Sequence, residues 1–304
     1  MLLERETALA DAPIRVPARA GWRISLARFG RENPTAAAGA LFLLLVVVAA
    51  IFAPVLSPHD PLTQSAGVHL RPPEGEHPFG TDNLGRDILS RVFWGARLSI
   101  YVSLLALVLG GATGIVVGMA SGYLEGVFDA VAQRFVDTLL AFPTLILSLA
   151  MVGFLKPGAE NIAIALGIVL APRITRLIRG SVLITKRSDY VDAAHAVGCT
   201  SVRIMVRHIL PNVVPYVIVY TSLYVGAAIL AEASLSFLGV GVPPPAPSWG
   251  RMLSDASAQY LVQAPWMTVF PGLAISLTVL AANLLGDGLR DALDPKLRGR
   301  LANR

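Results

Sequence analysis

Long apolar runs, separated by short polar stretches, dominate the pattern of this chain. A helix that crosses the hydrocarbon core of a bilayer needs about 20 mostly apolar residues. Five runs without Asp, Glu, Lys, Arg or His approach or exceed that length: Ala36–Pro58, Leu98–Leu124, Thr138–Leu155, Ile209–Ala231 and Ala256–Gly286. A shorter run, Asn161–Pro172, continues through Ile174 and Ile178, and the arginines near its end can extend to the lipid headgroups. We therefore predict an all-α, polytopic membrane protein with six transmembrane helices.

These runs divide the chain into consecutive regions. The regions are an N-terminal tail over 1–35, a first transmembrane helix over 36–56, a polar segment over 57–97, a core of five helices over 98–290, and a C-terminal tail over 291–304. Within the core, two connections are long: 179–212 and 236–265. A loop that joins two spans can be short, so structured connections of this length need a reason.

The first long connection carries helix signals on both sides of a glycine. Ser188 or Asp189 can cap a helix over Tyr190–Val197, and Gly198 permits a break after it. Thr200 or Ser201 can cap a second helix through Ile209, and Pro211 is then a stop signal. Two interpretations stay open at this point: a surface hairpin between two spans, or a docking element for a cytoplasmic partner.

The segment over 57–97 and the second long connection are rich in turn-forming residues. The segment starts with several prolines, turns polar, and ends in Asp87–Arg97, which is predicted as a short amphipathic helix leading into the second span. The connection over 236–265 contains several glycines and prolines, so it is predicted as a loop with a short helix over Trp249–Ala258.

Composition supports a membrane protein and excludes several other classes. Of the 304 residues, 54% are hydrophobic and 15% are charged, whereas an average soluble domain is about 25% charged. The net charge of +5 comes from basic residues that flank apolar runs. We therefore predict membrane lipid as a partner and no nucleic acid. The single cysteine, Cys199, excludes a disulfide framework and a zinc site built on several thiolates.

Basic residues indicate the orientation of the spans. With six spans and both termini inside, 19 of the Lys and Arg residues lie on the inner side and 6 on the outer side. Inner loops carry the excess of positive charge in membrane proteins. We therefore predict cytoplasmic N- and C-termini, a cytoplasmic location for 179–212, and an extracytoplasmic location for 57–97 and 236–265.

Catalytic and metal-binding patterns are absent from the sequence. The dipeptide Gly-Lys does not occur, so no P-loop can hold ATP phosphates, and Gly118–Gly122 has serine in the wrong place for a nucleophile elbow. The five histidines lack metal-ligand spacing on a helix. We predict no catalytic residue, no metal site and no cofactor in this chain. Glu232 and Asp137, near the ends of predicted spans, are candidates for the lining of a polar path.

The connection over 179–212 contains a recognisable motif. Asp192-Ala193-Ala194, Gly198 and Leu210-Pro211 resemble the EAA motif of permease subunits of binding-protein-dependent ABC importers. That motif has Glu-Ala-Ala, a glycine after three further residues, and a distal Ile-x-Leu-Pro. Asp192 replaces the glutamate but keeps the carboxylate, and His208 stands where the pattern has isoleucine.

A second signature narrows the branch of the family. Phe79-Gly80-Thr81-Asp82, followed by Gly85-Arg86-Asp87, resembles the second permease subunit of the oligopeptide, dipeptide and nickel branch. The stretches Ala141–Pro143, Leu235–Gly239 and Ser248–Gly250 agree with that branch. The resemblance covers most of the chain, from about Phe29 to Arg298.

The resemblance implies a type I ABC importer of the cell inner membrane. Two different permease subunits would form the path, two ATPase subunits would use ATP and Mg²⁺ inside, and an extracytoplasmic solute-binding protein would deliver the cargo. The connection over 179–212 would then be the ATPase-coupling loop. Di- and oligopeptides are the expected cargo, with nickel, glutathione or another small solute as alternatives.

A secondary transporter is the competing class. It needs charged groups near the bilayer midplane or broken helices around an ion site. No carboxylate lies near the centre of any of the six predicted spans, so the sequence favours the importer subunit.

Overall fold

The computed structural model describes residues 26–65, 67–256 and 260–293, and most of the two predicted tails lies outside these ranges. Within them the regular elements are helices, and the one β-bridge, Thr81 with Asp87, is isolated. The helices are α1 (Leu26–Glu32), α2 (Pro34–Ile51), α3 (Ala53–Leu56), α4 (Ile88–Leu124), α5 (Gly126–Ala141), α6 (Thr144–Leu155), α7 (Ala159–Lys186), α8 (Asp189–Ala196), α9 (Ser201–Ile204), a π-helical turn (Met205–Ile209), α10 (Leu210–Phe237), α11 (Trp249–Asp255) and α12 (Trp266–Leu293).

Five stretches are long and apolar enough to cross a membrane. They are α2, α4, α7, the continuous stretch Ser201–Phe237 and most of α12. Helices α5 and α6 meet at a bend of 100° and together form a sixth candidate. The prediction of an all-α, polytopic fold is confirmed for the described part of the chain, with five spans, or six when the bent pair is one span.

The third predicted span, Thr138–Leu155, is not one continuous helix. Helix α5 ends at Ala141, and Phe142 is extended, with φ −87° and ψ 139°. The ring of Pro143 clashes with helical backbone in the residue before it, so the helix stops and α6 starts in a new direction. The prediction of a single apolar helix here was wrong because Pro143 interrupts the helix.

The shortest predicted span lies within one of the most enclosed helices. Asn161–Pro172 belongs to the 28-residue helix α7, and 61% of its most apolar window is buried. The arginines of α7 have partners within the protein. Arg173 donates to Thr144 Oγ1 (2.7 Å), Arg176 pairs with Asp137, and Arg179 Nε donates to an Asp129 carboxylate oxygen (2.6 Å). These contacts join α7 to α5 and α6, and the extension of Arg173 and Arg176 to lipid headgroups stays a prediction.

Pro211 does not stop a helix. The chain is helical from Ser201 through the π-helical turn into α10, where Pro211 lies in the first turn. Leu210 N–H donates to Met205 C=O, an i to i+5 bond, so one extra residue enters the turn just before the proline, which has no N–H to offer. The prediction of a helix end near Ile209 was therefore wrong.

The second long connection contains its predicted short helix, α11. This helix ends at Asp255 rather than Ala258, and residues 257–259 lie outside the described part.

The predicted span Ala256–Gly286 begins too early. Helix α12 begins at Trp266, where Pro265 accepts the first N–H bonds through its C=O, and it continues to Leu293. The short helix predicted over Asp87–Arg97 begins at Ile88, with Asp87 as its N-cap, and is continuous with the second span in α4.

Helices α4 and α7 approach each other closely along a row of glycines. The row on α4 consists of Gly110, Gly114, Gly118 and Gly122. A methyl group built on Gly118 would lie 2.7 Å from the C=O oxygen of Thr175 and 2.8 Å from Ile178 Cβ. Small residues at such spacing let helix backbones pack together in membranes. The backbones of α4 and α7 are therefore in close contact along this row.

Gly118→Ala is expected to destabilise the protein by about 1–3 kcal/mol, because a backbone oxygen and a branched side chain must move to admit the methyl group. Gly111→Ala is the matched control on the same helix, since nothing lies within 4 Å of its added methyl group. Alanine favours helices, so the control should be neutral or slightly stabilising. Thermal unfolding of the purified full chain in detergent measures both changes. Equal effects of the two variants would contradict this packing.

Candidate functional site: turns at the two ends of helix α4

The turn at Gly198 closes helix α8 with a Schellman motif. Gly198 N–H donates to His195 C=O (2.9 Å), and Cys199 N–H donates to Ala194 C=O (3.0 Å). Gly198 has φ +79°, the left-handed conformation that this motif requires and that glycine adopts without strain. Thr200 Oγ1 then accepts from Arg203 N–H at the start of α9 (3.4 Å). The predicted arrangement of helix, glycine and helix is confirmed at this turn.

Residues 188–212 form a helical hairpin, which we call the 188–212 hairpin. Its inner face packs against the ends of α4 and α7. Its buried apolar residues contact a cluster from the two long helices that includes Tyr123, Ile178 and Val182. The hairpin contributes Val191, Ala194, Ile204 and Ile209, all nearly without exposure. Ala194 of the EAA-like motif therefore serves this packing. The hairpin and the ends of α4 and α7 therefore form one close-packed cluster.

The outer face of the 188–212 hairpin carries most of the remaining predicted coupling residues. Asp192, Ala193, Gly198 and Pro211 are exposed, and Leu210 is half-buried. Within the described residues, the Asp192 carboxylate has no hydrogen bond or ion pair, so it does not cap α8. Large apolar side chains are exposed on the same hairpin: Tyr190, Val197, Val202 and Val206.

His208 occupies an intermediate position in the π-helical turn. Its side chain is half-buried, and Nδ1 is enclosed without a hydrogen-bond partner among the described residues. The exposed neighbour Arg207 lies on the outer side. His208 therefore lies between the inner and outer faces of the hairpin, with Nδ1 enclosed.

Lys186 links the end of α7 to the end of α4, a contact that the sequence does not reveal. Lys186, the last residue of α7, donates through Nζ to the Tyr123 C=O (2.6 Å) and pairs with Glu125 (3.0 Å). The Tyr123 hydroxyl lies 3.4 Å from His195 Nε2 on α8. No motif signals this link, because its members come from three separate helices.

The branch-signature turn, residues 80–87, lies at the other end of α4. This helix of 37 residues is about 55 Å long, so the two turns are far apart. Thr81 Oγ1 donates to Val68 C=O and accepts from Arg71 N–H (2.9 Å). Asp82 Oδ1 accepts from the N–H groups of Leu84 and Arg86, both at 2.9 Å. Both side chains thus fix the turn through hydrogen bonds to the backbone.

Buried charges tie this turn to the second long connection. Asp82 accepts from Arg86 Nε (2.6 Å) and lies 3.6 Å from Arg91 Nε. Both arginines also reach Asp255 in α11, at 3.3 and 3.5 Å, and Asp255 pairs with Arg251 at 3.1 Å. Arg91 is only 2% exposed. No local pattern indicates Asp255, because it lies far along the chain from the turn.

Gly80, Gly85 and Asp87 fix the shape of this turn. Gly80 and Gly85 have φ near +75°, and a methyl group on Gly85 would lie 2.4 Å from Ser65 C=O. Asp87 caps α4, accepting through Oδ2 from Ser90 N–H (2.8 Å) and Ser90 Oγ (2.7 Å). All six signature residues are buried: Gly80, Thr81, Asp82, Gly85, Arg86 and Asp87.

The two candidate path residues lie in different surroundings. Glu232 is fully buried in α10 and accepts from Ser236 Oγ (2.7 Å). Asp137 is exposed on α5 and paired with Arg176. The two carboxylates belong to different helices, and their role in a path stays a prediction.

Comparison with known proteins identifies the class. Residues 114–299 match the family described as "Binding-protein-dependent transport system inner membrane component". Residues 22–73 match the family described as "N-terminal TM domain of oligopeptide transport permease C". The chain belongs to the first family, whose match covers more than half of it, and it is a permease subunit of an ABC importer in the inner membrane. In such importers, ATP hydrolysis takes place in partner ATPases and a binding protein supplies the solute.

Curated relatives match nearly the whole chain. The "Glutathione transport system permease protein GsiD" of Escherichia coli O6:K15:H31 (strain 536 / UPEC) is 43% identical over 298 residues, covering 97% of this chain and 98% of the relative. A protein of Brucella suis biovar 1 (strain 1330), provisionally named a peptide transport system permease, is 43% identical over 260 residues, covering 86% and 87%. The resemblance to the oligopeptide, dipeptide and nickel branch is thus confirmed.

Proposed function

We propose that this chain forms one half of a translocation path for short peptides, glutathione included, beside a second, homologous permease subunit. The names of two similar proteins, a glutathione permease and a peptide permease, support this class of cargo. Glutathione is itself a tripeptide, so one cargo class covers both names. The proposal includes two ATPase subunits, with their ATP and Mg²⁺, and an extracytoplasmic solute-binding protein.

The outer face of the 188–212 hairpin carries the coupling part of the proposal. Val197 and Val202 are 79% and 65% exposed on a hairpin that also exposes the charged side chains of Asp192 and Arg207. Apolar side chains exposed beside charged ones are typical of a surface that another protein covers. We therefore place an ATPase subunit on this face, with Asp192 available for a basic group of that partner.

The inner face of the same hairpin supplies the transmission. Val191 and Ile204 are completely buried against α4 and α7, and Lys186 ties the end of α7 to the end of α4. When the ATPase pair closes on ATP, the hairpin moves with it and shifts the two helices as a unit. The permease then changes between inward-facing and outward-facing states, whose populations the bound nucleotide alters.

The cargo is tested on the intact complex. The chain is purified from membranes with its partners, and the ligand on the associated solute-binding protein is identified by mass spectrometry. A short peptide or glutathione is the expected ligand. A sugar or a metal chelate there would overturn the cargo class and leave the assignment as a permease subunit unchanged.

The orientation of the chain is tested by cysteine labelling. Leu84 in the branch-signature turn and Val197 in the hairpin are exposed, and Cys199 is the only native cysteine. In a Cys199→Ala background, Leu84→Cys should react with an impermeant thiol reagent added to intact spheroplasts. Val197→Cys should react only after permeabilisation. The reverse result would invert the proposed topology, with both termini outside.

A further inference from the structure

Two histidines and an aspartate come together beside the start of α4, although the sequence analysis predicted no metal site. His59 follows the first span, His77 lies in the polar segment, and Asp87 caps α4. One ligand atom from each of the three residues lies within 4.8 Å of the other two. We propose that His59, His77 and Asp87 bind a divalent first-row transition-metal ion, with Zn²⁺ as the reference ion.

The spacing of the donor atoms suits such an ion. His77 Nδ1 lies 2.9 Å and His59 Nδ1 3.8 Å from Asp87 Oδ1, and the two ring centroids are 4.6 Å apart. Ligands about 2.1 Å from a tetrahedral Zn²⁺ lie about 3.4 Å from one another. The observed distances fall on both sides of that value, so small side-chain rotations complete the arrangement. A water molecule would fill the fourth position.

The surroundings hold the donors in place. Asp87 Oδ2 is used by Ser90, which leaves Oδ1 to the imidazoles. Ser90 Oγ also accepts from His59 N–H (3.2 Å), so the backbone of His59 is tied to the first turn of α4. Supporting hydrogen bonds of this kind orient metal ligands and raise affinity. The Asp87 side chain is 1% exposed and that of His59 43%, so an ion has a route from solvent.

The donor set selects the class of ion. Imidazole nitrogen and carboxylate oxygen together suit Zn²⁺, Co²⁺, Ni²⁺ and Cu²⁺, whereas Mg²⁺ and Ca²⁺ prefer oxygen ligands alone. The bound ion would clamp the end of the first span to the beginning of α4. This inference concerns a resident, structural ion and does not depend on the cargo.

The test uses the purified full chain in detergent, stripped with a chelator and carrying an affinity tag without histidine. Titration with Zn²⁺ alone, and with Co²⁺ alone as an optical probe, should give saturable binding of about one ion per chain. His59→Ala should weaken binding by more than about tenfold, since loss of even a supporting partner commonly costs that much. His69→Ala, a histidine of the same segment outside the cluster, is the matched control and should bind as the unmodified chain does.

Thermal unfolding separates loss of the site from loss of the fold. Without metal, His59→Ala should unfold at the temperature of the unmodified chain, because its side chain is partly exposed and its backbone bond to Ser90 remains. Added Zn²⁺ should raise the unfolding temperature of the unmodified chain and of His69→Ala, but not of His59→Ala. Absence of saturable binding by the unmodified chain, or equal binding by His59→Ala, would overturn the proposal.

Discussion

Gly198→Val is expected to remove most ATP-driven transport while leaving membrane insertion unchanged. Gly198 adopts φ +79°, and a β-branched residue in that left-handed conformation costs about 2 kcal/mol or more. The native turn would be lost in most molecules, and with it the exposed face that includes Val197. Transport in vesicles and co-purification of the ATPase subunits measure the effect.

Gly198→Asn is the control that separates backbone conformation from volume. Nothing lies within 4 Å of a methyl group added to Gly198, so a larger side chain has space there. Asparagine tolerates the left-handed conformation far better than valine. We expect Gly198→Asn to retain most transport. Normal transport by Gly198→Val would remove the proposed role of this turn.

Asp82→Asn is expected to destabilise the opposite end of the chain by about 3–5 kcal/mol, the usual effect of removing one partner from a buried ion pair. Arg86 and Arg91, only 7% and 2% exposed, would then share Asp255 as their remaining anionic partner in the described structure. The contact between the branch-signature turn and α11 would loosen. The yield of folded protein from membranes and its unfolding temperature in detergent measure the loss.

Glu76→Gln provides the comparison for Asp82→Asn. Glu76 lies in the same polar segment but is exposed. Exposed charges contribute about 0–1 kcal/mol to stability, so this variant should unfold close to the unmodified chain. If the two variants lost stability equally, the buried network would have no special role.

Local signals predicted the 188–212 hairpin well because its turn is determined by neighbouring residues. The cap at Thr200 and the left-handed glycine at Gly198 act over a few positions, and the structure contains both. The prediction of a helix end near Pro211 was wrong because it also rested on a local signal. A proline commonly ends a helix, but the π-helical turn before it lets the helix continue into α10.

Long-range pairing accounts for what the sequence did not reveal. The hydropathy of α7 is lowered by Arg173, Arg176 and Arg179, and their partners on α5 and α6 cannot be deduced from spacing. Asp255 joins the network of Asp82 in the same way. The approach of His59 to His77 likewise depends on how the polar segment folds over the start of α4.

Solute uptake by proteoliposomes tests the central claim, that this chain is a permease subunit driven by partner ATPases through the 188–212 hairpin. The vesicles contain the chain alone, or the chain with its partner permease and two ATPase subunits, and the solute-binding protein is added with a labelled peptide. We predict ATP-dependent uptake by the complete complex, and neither uptake nor ATP hydrolysis by the chain alone. Uptake by the chain alone, driven by an ion gradient, would contradict the account and identify a secondary transporter.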